Sequence, residues 1–196
     1  MKSLVVVAVV ALFAVAESCE RHGAQCPVYT VVQSNKDYEV REYPSLVWVS
    51  ISGNGKSKSD VSRKLIKQLY SYLGGANDRG MTLDMMVPVR TKKVVNEGYN
   101  TYTMAVLLKP QDSENPPKPE NALLSVNREP PTTYIVKSFD GYARQDSIWD
   151  EHSAALKEAL PSNEVADASF YYMSVYDSPW RETDRLNEVW LEKVSN

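Results

Sequence analysis

The chain is poor in thiols and imidazoles, with two cysteines and two histidines in 196 residues. The cysteines, Cys19 and Cys26, stand close together near the amino terminus, which excludes both a cysteine-rich zinc framework and a thiol nucleophile in the body of the chain. A zinc site on Cys19, His22 and Cys26 lacks a fourth ligand nearby. There is no glycine-rich phosphate loop and no paired-histidine helix motif, so no enzyme constellation stands out. Acid pairs such as Glu39 with Glu42, or Asp150 with Glu151, read as solvated surface rather than as a glycosidase pair. Neither sign of charge is in excess: 22 Lys and Arg against 25 Asp and Glu give a net charge of −3. Counterion release needs clustered cations, and here the signs are interleaved, which excludes a general nucleic-acid binder. No Asn-x-Ser/Thr sequon occurs, so N-glycosylation is not expected.

Apolar runs are equally scarce, with one exception. Residues 4–16 carry no charged or polar side chain and end in Ala14-Val15-Ala16, the small-x-small pattern of a secretory leader. As a helix this run rises about 20 Å, short of the roughly 30 Å hydrocarbon core, and nothing after it is long enough to span. Residues 1–16 are therefore expected to be a signal peptide, cleaved after Ala16 or, as second choice, Ser18. The mature chain is expected to be secreted and extracellular, with Cys19 and Cys26 joined in a local disulfide. Twelve Tyr, four Trp and three Phe supply the apolar area of an aromatic-rich core.

Past a polar amino-terminal segment the chain alternates strand and helix signals. Tyr38 to Tyr43 and Leu46 to Ser52 read as strands, and Val61, Leu65, Leu69 and Tyr72 recur at helical spacing after a cap at Ser59 or Asp60 until Gly74-Gly75 ends the run. Met81 to Val89 and Tyr99 to Leu108 are strand-like, with Met81, Met85 and Met86 expected in the core. Residues 109–120 hold four prolines and form an exposed connection. The same order then returns: a strand from Thr132, a helix from Ser147 carrying Ile148, His152, Leu156 and Leu160, and strands Ala168 to Val175 and Asn187 to Leu191. The second set lies about 86 residues after the first, an internal duplication of strand-helix-strand-strand units. Two such halves related by a pseudo-two-fold predict an α+β fold, a curved antiparallel sheet with two flanking helices.

Several of these segments resemble one family. Tyr72 to Gly80, Met81 to Pro88, Ser138-Phe139-Asp140-Gly141-Tyr142, Tyr176-Asp177-Ser178-Pro179-Trp180 and Arg185 to Leu191 are similar in order and spacing to the signature stretches of the SOUL/haem-binding protein family. The resemblance implies a distorted antiparallel β-barrel with two helices outside, occupying residues 37–194 after a Cys-containing segment at 17–36. It also implies non-catalytic binding of haem or another tetrapyrrole in an apolar groove on the first helix. Carried onto this sequence, the groove residues are Arg63, Ile66 and Tyr70, with Arg181 before the last strand facing a propionate. The chain departs from cytoplasmic members in its leader and its cysteine pair.

Helical spacing supports this independently, because Arg63, Ile66, Lys67 and Tyr70 fall at i, i+3, i+4 and i+7 on one face. Taken alone, such a stripe is what a solvated face looks like when long stems cover apolar surface. With the resemblance, it suits a flat apolar anion, whose faces gain about 25 cal/mol per Å² on burial while guanidinium groups meet its carboxylates. Neither histidine lies on this helix, and His152 reads as a half-buried packing residue. No metal site on the protein is predicted, and haem is expected to be held by shape, apolar contact and propionate pairing. The expected protein is a monomeric carrier or scavenger with no nucleic-acid partner. The alternative is an extracellular interaction or signalling protein whose groove takes a peptide, a lipid or a partner helix.

Overall fold

Strands outnumber helices among the described residues, which are 16–17, 19–162 and 164–194 of the computed structural model. In chain order the elements are β1 (Ala16–Glu17), β2 (Glu20–Arg21), β3 (Ala24–Gln25), β4 (Tyr29–Ser34), β5 (Glu39–Tyr43), β6 (Leu46–Gly55), α1 (Lys58–Leu73), β7 (Met85–Asn96) and β8 (Tyr99–Leu108). They continue with α2 (Pro110–Ser113), β9 (Ser125–Glu129), β10 (Thr132–Phe139), α3 (Asp146–Glu158), β11 (Phe170–Val175) and β12 (Asn187–Glu192). The expected signal peptide lies, but for Ala16, outside the described residues. Among the described residues no helix is long and apolar enough to cross a membrane.

Ten strands pair antiparallel in the order β1-β4-β5-β10-β12-β11-β7-β8-β6-β9, while β2 and β3 form a separate hairpin. Since β1 contributes two residues, nine strands make up the curled half-barrel, and the fold is α+β. The duplication is visible in the strand order. On either side of the β7·β11 junction come the third and then the first strand of each half, β8 and β6 on one side, β12 and β10 on the other. The polar strands β4 and β9, which extend the sheet at its two ends, carry too little alternation to be seen in the sequence.

Helix α1 packs on strands of its own half, and α3 on strands of the other. Leu65, Leu69, Tyr72 and Leu73 of α1 are buried against Val49 and Ile51 of β6 and Met104, Val106 and Leu108 of β8. Burying a leucine side chain is worth about 1.5–3 kcal/mol, so three of them fix which face of α1 turns outward. In α3 Leu156 is buried as expected, but the two earlier inward positions move by one residue: Trp149 and Ser153 are buried, and Ile148 and His152 only partly so. The larger indole takes the core position, and its Nε1 donates to the Ala143 carbonyl at 2.8 Å. His152 stacks on Phe139 with ring centroids 3.7 Å apart.

The strand expected from Met81 starts at Met85 instead and runs on to Asn96. Asn77 is the reason. Its side-chain amide donates to the carbonyls of Tyr72 and Met81 and accepts from the Met81 N–H, which locks residues 77–81 in a turn. Met81 is consequently 40% exposed, Met86 is buried, and Met85 is left half-buried. Helix α1 also begins earlier than expected. Ser57 is its N-cap, and the Asp60 carboxylate accepts from the backbone N–H groups of Lys56 and Ser57, each at 2.9 Å.

The aromatic core is organised around buried charge. Arg90, 5% exposed, lies with its guanidinium carbon 4.0 Å from the Trp48 ring centroid and 4.2 Å from that of Tyr172. Its Nη2 is 2.5 Å from Glu129 Oε2, and Nη1 donates to the Tyr134 hydroxyl.

Candidate functional site

Because α1 spends one face on the core, a flank of the helix is left beside the central strands of the sheet. There Arg63, Ile66 and Tyr70 line a cavity of about 520 Å³. The floor is apolar: Met85, Val87 and Val89 of β7, Met104 of β8 and Val175 of β11. A volume of this size lies within the range of small-molecule and cofactor pockets. A depression of equal volume between β4, β5 and the start of β10 has no cation in its lining. The α1 groove, by contrast, is edged by Arg21, His22, Arg63 and Arg181.

Four of the five residues expected at the site thus converge. Lys67 does not: it is exposed and lies outside the groove lining. The physical reason is helical geometry, since a step of four from Arg63 overshoots the turn that faces the groove while steps of three and seven to Ile66 and Tyr70 stay on it. Arg63 is exposed and has no ion pair within 4.0 Å among the described residues, so its charge is available to a ligand. Arg181 is less free, because its Nε lies 3.6 Å from Asp177 Oδ1. Its backbone is held as well: the Arg181 carbonyl accepts from the Tyr142 hydroxyl and from Arg185 Nη1, each at 2.7 Å.

Asp177 is the electrostatic pivot of this end of the groove. Its side chain is 1% exposed; Oδ2 accepts from the Leu186 N–H at 2.6 Å, while Oδ1 faces Arg21, His22 and Arg181. Next to it Tyr176, also in the lining, donates its hydroxyl to Glu188 Oε2 at 2.6 Å, and burial beside that carboxylate raises the phenol far above its ordinary range. Glu188 also receives Arg41 Nη1 at 2.9 Å and Trp190 Nε1 at 2.7 Å. This wall is a rigid network rather than a reactive centre.

The remaining wall comes from the amino-terminal segment. Cys19 and Cys26 form the expected disulfide, with Cα atoms 4.9 Å apart, and its loop is the β2–β3 hairpin. Oxidation removes both thiolates from any zinc site. Arg21 Nη2 lies 2.9 Å from Asp184 Oδ1 and also donates to the Asp184 carbonyl. The hairpin is thereby latched across the loop that follows β11. Sequence reasoning placed His22 in a terminal loop away from the helix; the fold returns it to the groove. The signature stretch Tyr176 to Trp180 was the available signal for this wall, though its contacts were not legible.

The SOUL heme-binding protein family model matches residues 24–192. The chain belongs to the SOUL haem-binding family. It is 26% identical over 181 residues to human heme-binding protein 2, covering 91% of this chain and 88% of that protein. Heme-binding protein 1 of Xenopus laevis is 29% identical over 160 residues, covering 80% of this chain and 83% of that one. Both are named for haem binding and not for a reaction. Among solved structures, the EcmrR C-terminal domain superposes with a TM-score of 0.59 at 12% identity, covering 81% of this chain and 99% of that domain. An uncharacterized conserved protein from Listeria innocua gives 0.58 at 12% identity, covering 82% of this chain and 93% of that one. These likenesses concern the fold alone. Haem is the ligand to which the SOUL family assigns this chain, and an apolar floor with cations along its edge fits an amphiphilic dianion.

Proposed function

We propose that this SOUL protein binds haem or a related tetrapyrrole in the α1 groove, without catalysing a reaction, as a secreted monomeric carrier or scavenger. The observation that supports this reading is the convergence of Arg63, Ile66, Tyr70 and Arg181 on one apolar cavity. Ile66, Met85 and Val89 offer apolar surface to the ring, and Tyr70 stands half exposed in the same lining. Arg63 and Arg181 stand at the rim, where carboxylates remain in contact with water, so the charged groups need not be desolvated to bind. What haem brings to the site is its iron and its flat apolar body; what the chain does is orient and shield it.

Titration of the purified mature protein with haemin tests the reading. A saturable Soret shift at one haemin per chain is expected. If haemin gives none while a fatty acid or an amphipathic peptide saturates the groove, the interaction reading replaces this one.

A further inference from the structure

Among the described residues the fold brings one imidazole to the groove, and it is not on the helix. His152 is occupied on α3 by its stack against Phe139. His22 sits instead at the apex of the β2–β3 hairpin, with φ of 49°, followed by Gly23 at φ 81°, the pair of left-handed residues that a two-residue hairpin requires. The hairpin is placed from three directions. Cys19–Cys26 closes its base, and buried Cys26 packs with Val87 and Tyr176. Arg21 ties its tip to Asp184.

The ring is oriented as well as placed. His22 Nε2 lies 3.3 Å from Asp177 Oδ1 and 3.2 Å from Asp184 Oδ2. With two carboxylates facing Nε2, the neutral tautomer that donates there carries its lone pair on the other nitrogen, Nδ1. An imidazole whose second nitrogen is anchored by a carboxylate is the usual arrangement of a metal-bound histidine, because the anchor fixes the tautomer and raises the basicity of the donor.

We infer that His22, through Nδ1, is the protein's axial ligand to the iron of haem held in the α1 groove, and that the disulfide-closed hairpin is the arm that carries it. This rests on the haem reading of the groove. His22 and Arg21 precede residue 24, where the matched family span begins. Asp177 and Asp184 are positioning residues for the ring. The competing donors in the lining are the thioethers of Met85 and Met104 and the phenol of Tyr70; the Tyr176 hydroxyl is engaged by Glu188.

The test is the absorption and electron paramagnetic resonance spectrum of the ferric haemin complex of the mature, oxidised protein. His22→Asn is the variant of choice, since asparagine tolerates the left-handed backbone and keeps a donor toward Asp177. The wild type should give a nitrogen-ligated spectrum. His22→Asn should lose it, with haemin affinity down tenfold or more, and added imidazole should restore it, which a merely structural role would not allow. His152→Ala should match the wild type. An unchanged spectrum in His22→Asn, or its loss in Tyr70→Phe, Met85→Leu or Met104→Leu instead, would overturn the assignment while leaving the groove reading intact. Failure of the wild type to bind haemin at all would remove the groove reading, and the ligand with it.

Discussion

Arg181 shares its guanidinium with Asp177 at 3.6 Å, whereas Arg63 has no ion-pair partner among the described residues, so the two arginines should differ in their value to an anionic ligand. A charge-assisted contact at a partly solvated rim is worth about 1–2 kcal/mol, which corresponds to roughly 5- to 30-fold in affinity. Arg63→Ala should therefore weaken haemin binding within that range, and Arg181→Ala by no more, because part of its charge is already neutralised. Lys67→Ala, outside the lining, should bind like the wild type. Ile66→Glu should be the most severe, since it sets a carboxylate against an apolar ring face. Leu65→Ala separates binding from folding: it should cost about 2–5 kcal/mol of stability without touching the groove. Haemin titrations with parallel thermal melts check the set. If Arg63→Ala and Ile66→Glu both bind like the wild type, the ligand does not sit on this face.

At the scale of the element, the groove depends on where α1 starts, because its outward edge carries Arg63, Ile66 and Tyr70. Hydrogen bonds from the Ser57 backbone and hydroxyl hold the Asp60 carboxyl below its ordinary value of 3.8. A carboxyl whose value is depressed in the folded state contributes stability that is fully present above 3.8 and is lost as pH falls through the lower folded value. Asp60→Asn should accordingly lower the melting temperature at pH 7, and the gap to wild type should close as pH approaches about 2. Melts across that range measure it. A gap that stays constant with pH would show that Asp60 acts through packing and not through its charge. The same direction holds for Asp184, whose carboxyl is lowered chiefly by the Arg21 hydrogen bond, so acid should also loosen the hairpin latch.

At the scale of the whole molecule, the half-barrel and the hairpin are two units of different kinds. The barrel is held by its strand ladder and two helix-covered cores; the hairpin is held by one disulfide, one buried cysteine and an ion-pair latch. Closing so short a loop is worth about 2–3 kcal/mol by chain entropy, and that stabilisation acts on the hairpin and not on the core. An exported form is where such a bond persists. If residues 1–16 act as a leader, the full chain expressed in a secretory cell should appear in the medium as residues 17–196 lacking two hydrogens. Intact-mass analysis decides the matter: free thiols on the exported chain, or retention of residues 4–16, would overturn it.

Much of this architecture is local in origin and therefore legible in the sequence. The inward face of α1, the strand at Tyr99 to Leu108 and the duplicated order of elements all follow from periodicity and turn chemistry within a few residues of one another, whereas the proline-rich connection, expected to be exposed, begins with α2 and buries Pro117. Arg63, Ile66 and Tyr70 came instead from the family resemblance; their spacing along one helix agreed with it but, taken alone, described a solvated face and included Lys67 as well. Other features depended on contacts that no local pattern encodes. A side-chain amide at Asn77 delayed the start of β7, an indole displaced the first inward positions of α3, and β4 and β9 joined the sheet by pairing with β5 and β6. The far wall of the groove is the extreme case. His22 meets Asp184 across 162 positions of chain, and Arg181 gives up part of its charge to an aspartate whose burial depends on the turn between β11 and β12. Periodicity assigns a residue to a face of its own element; only the closure of the sheet decides which distant elements that face will meet.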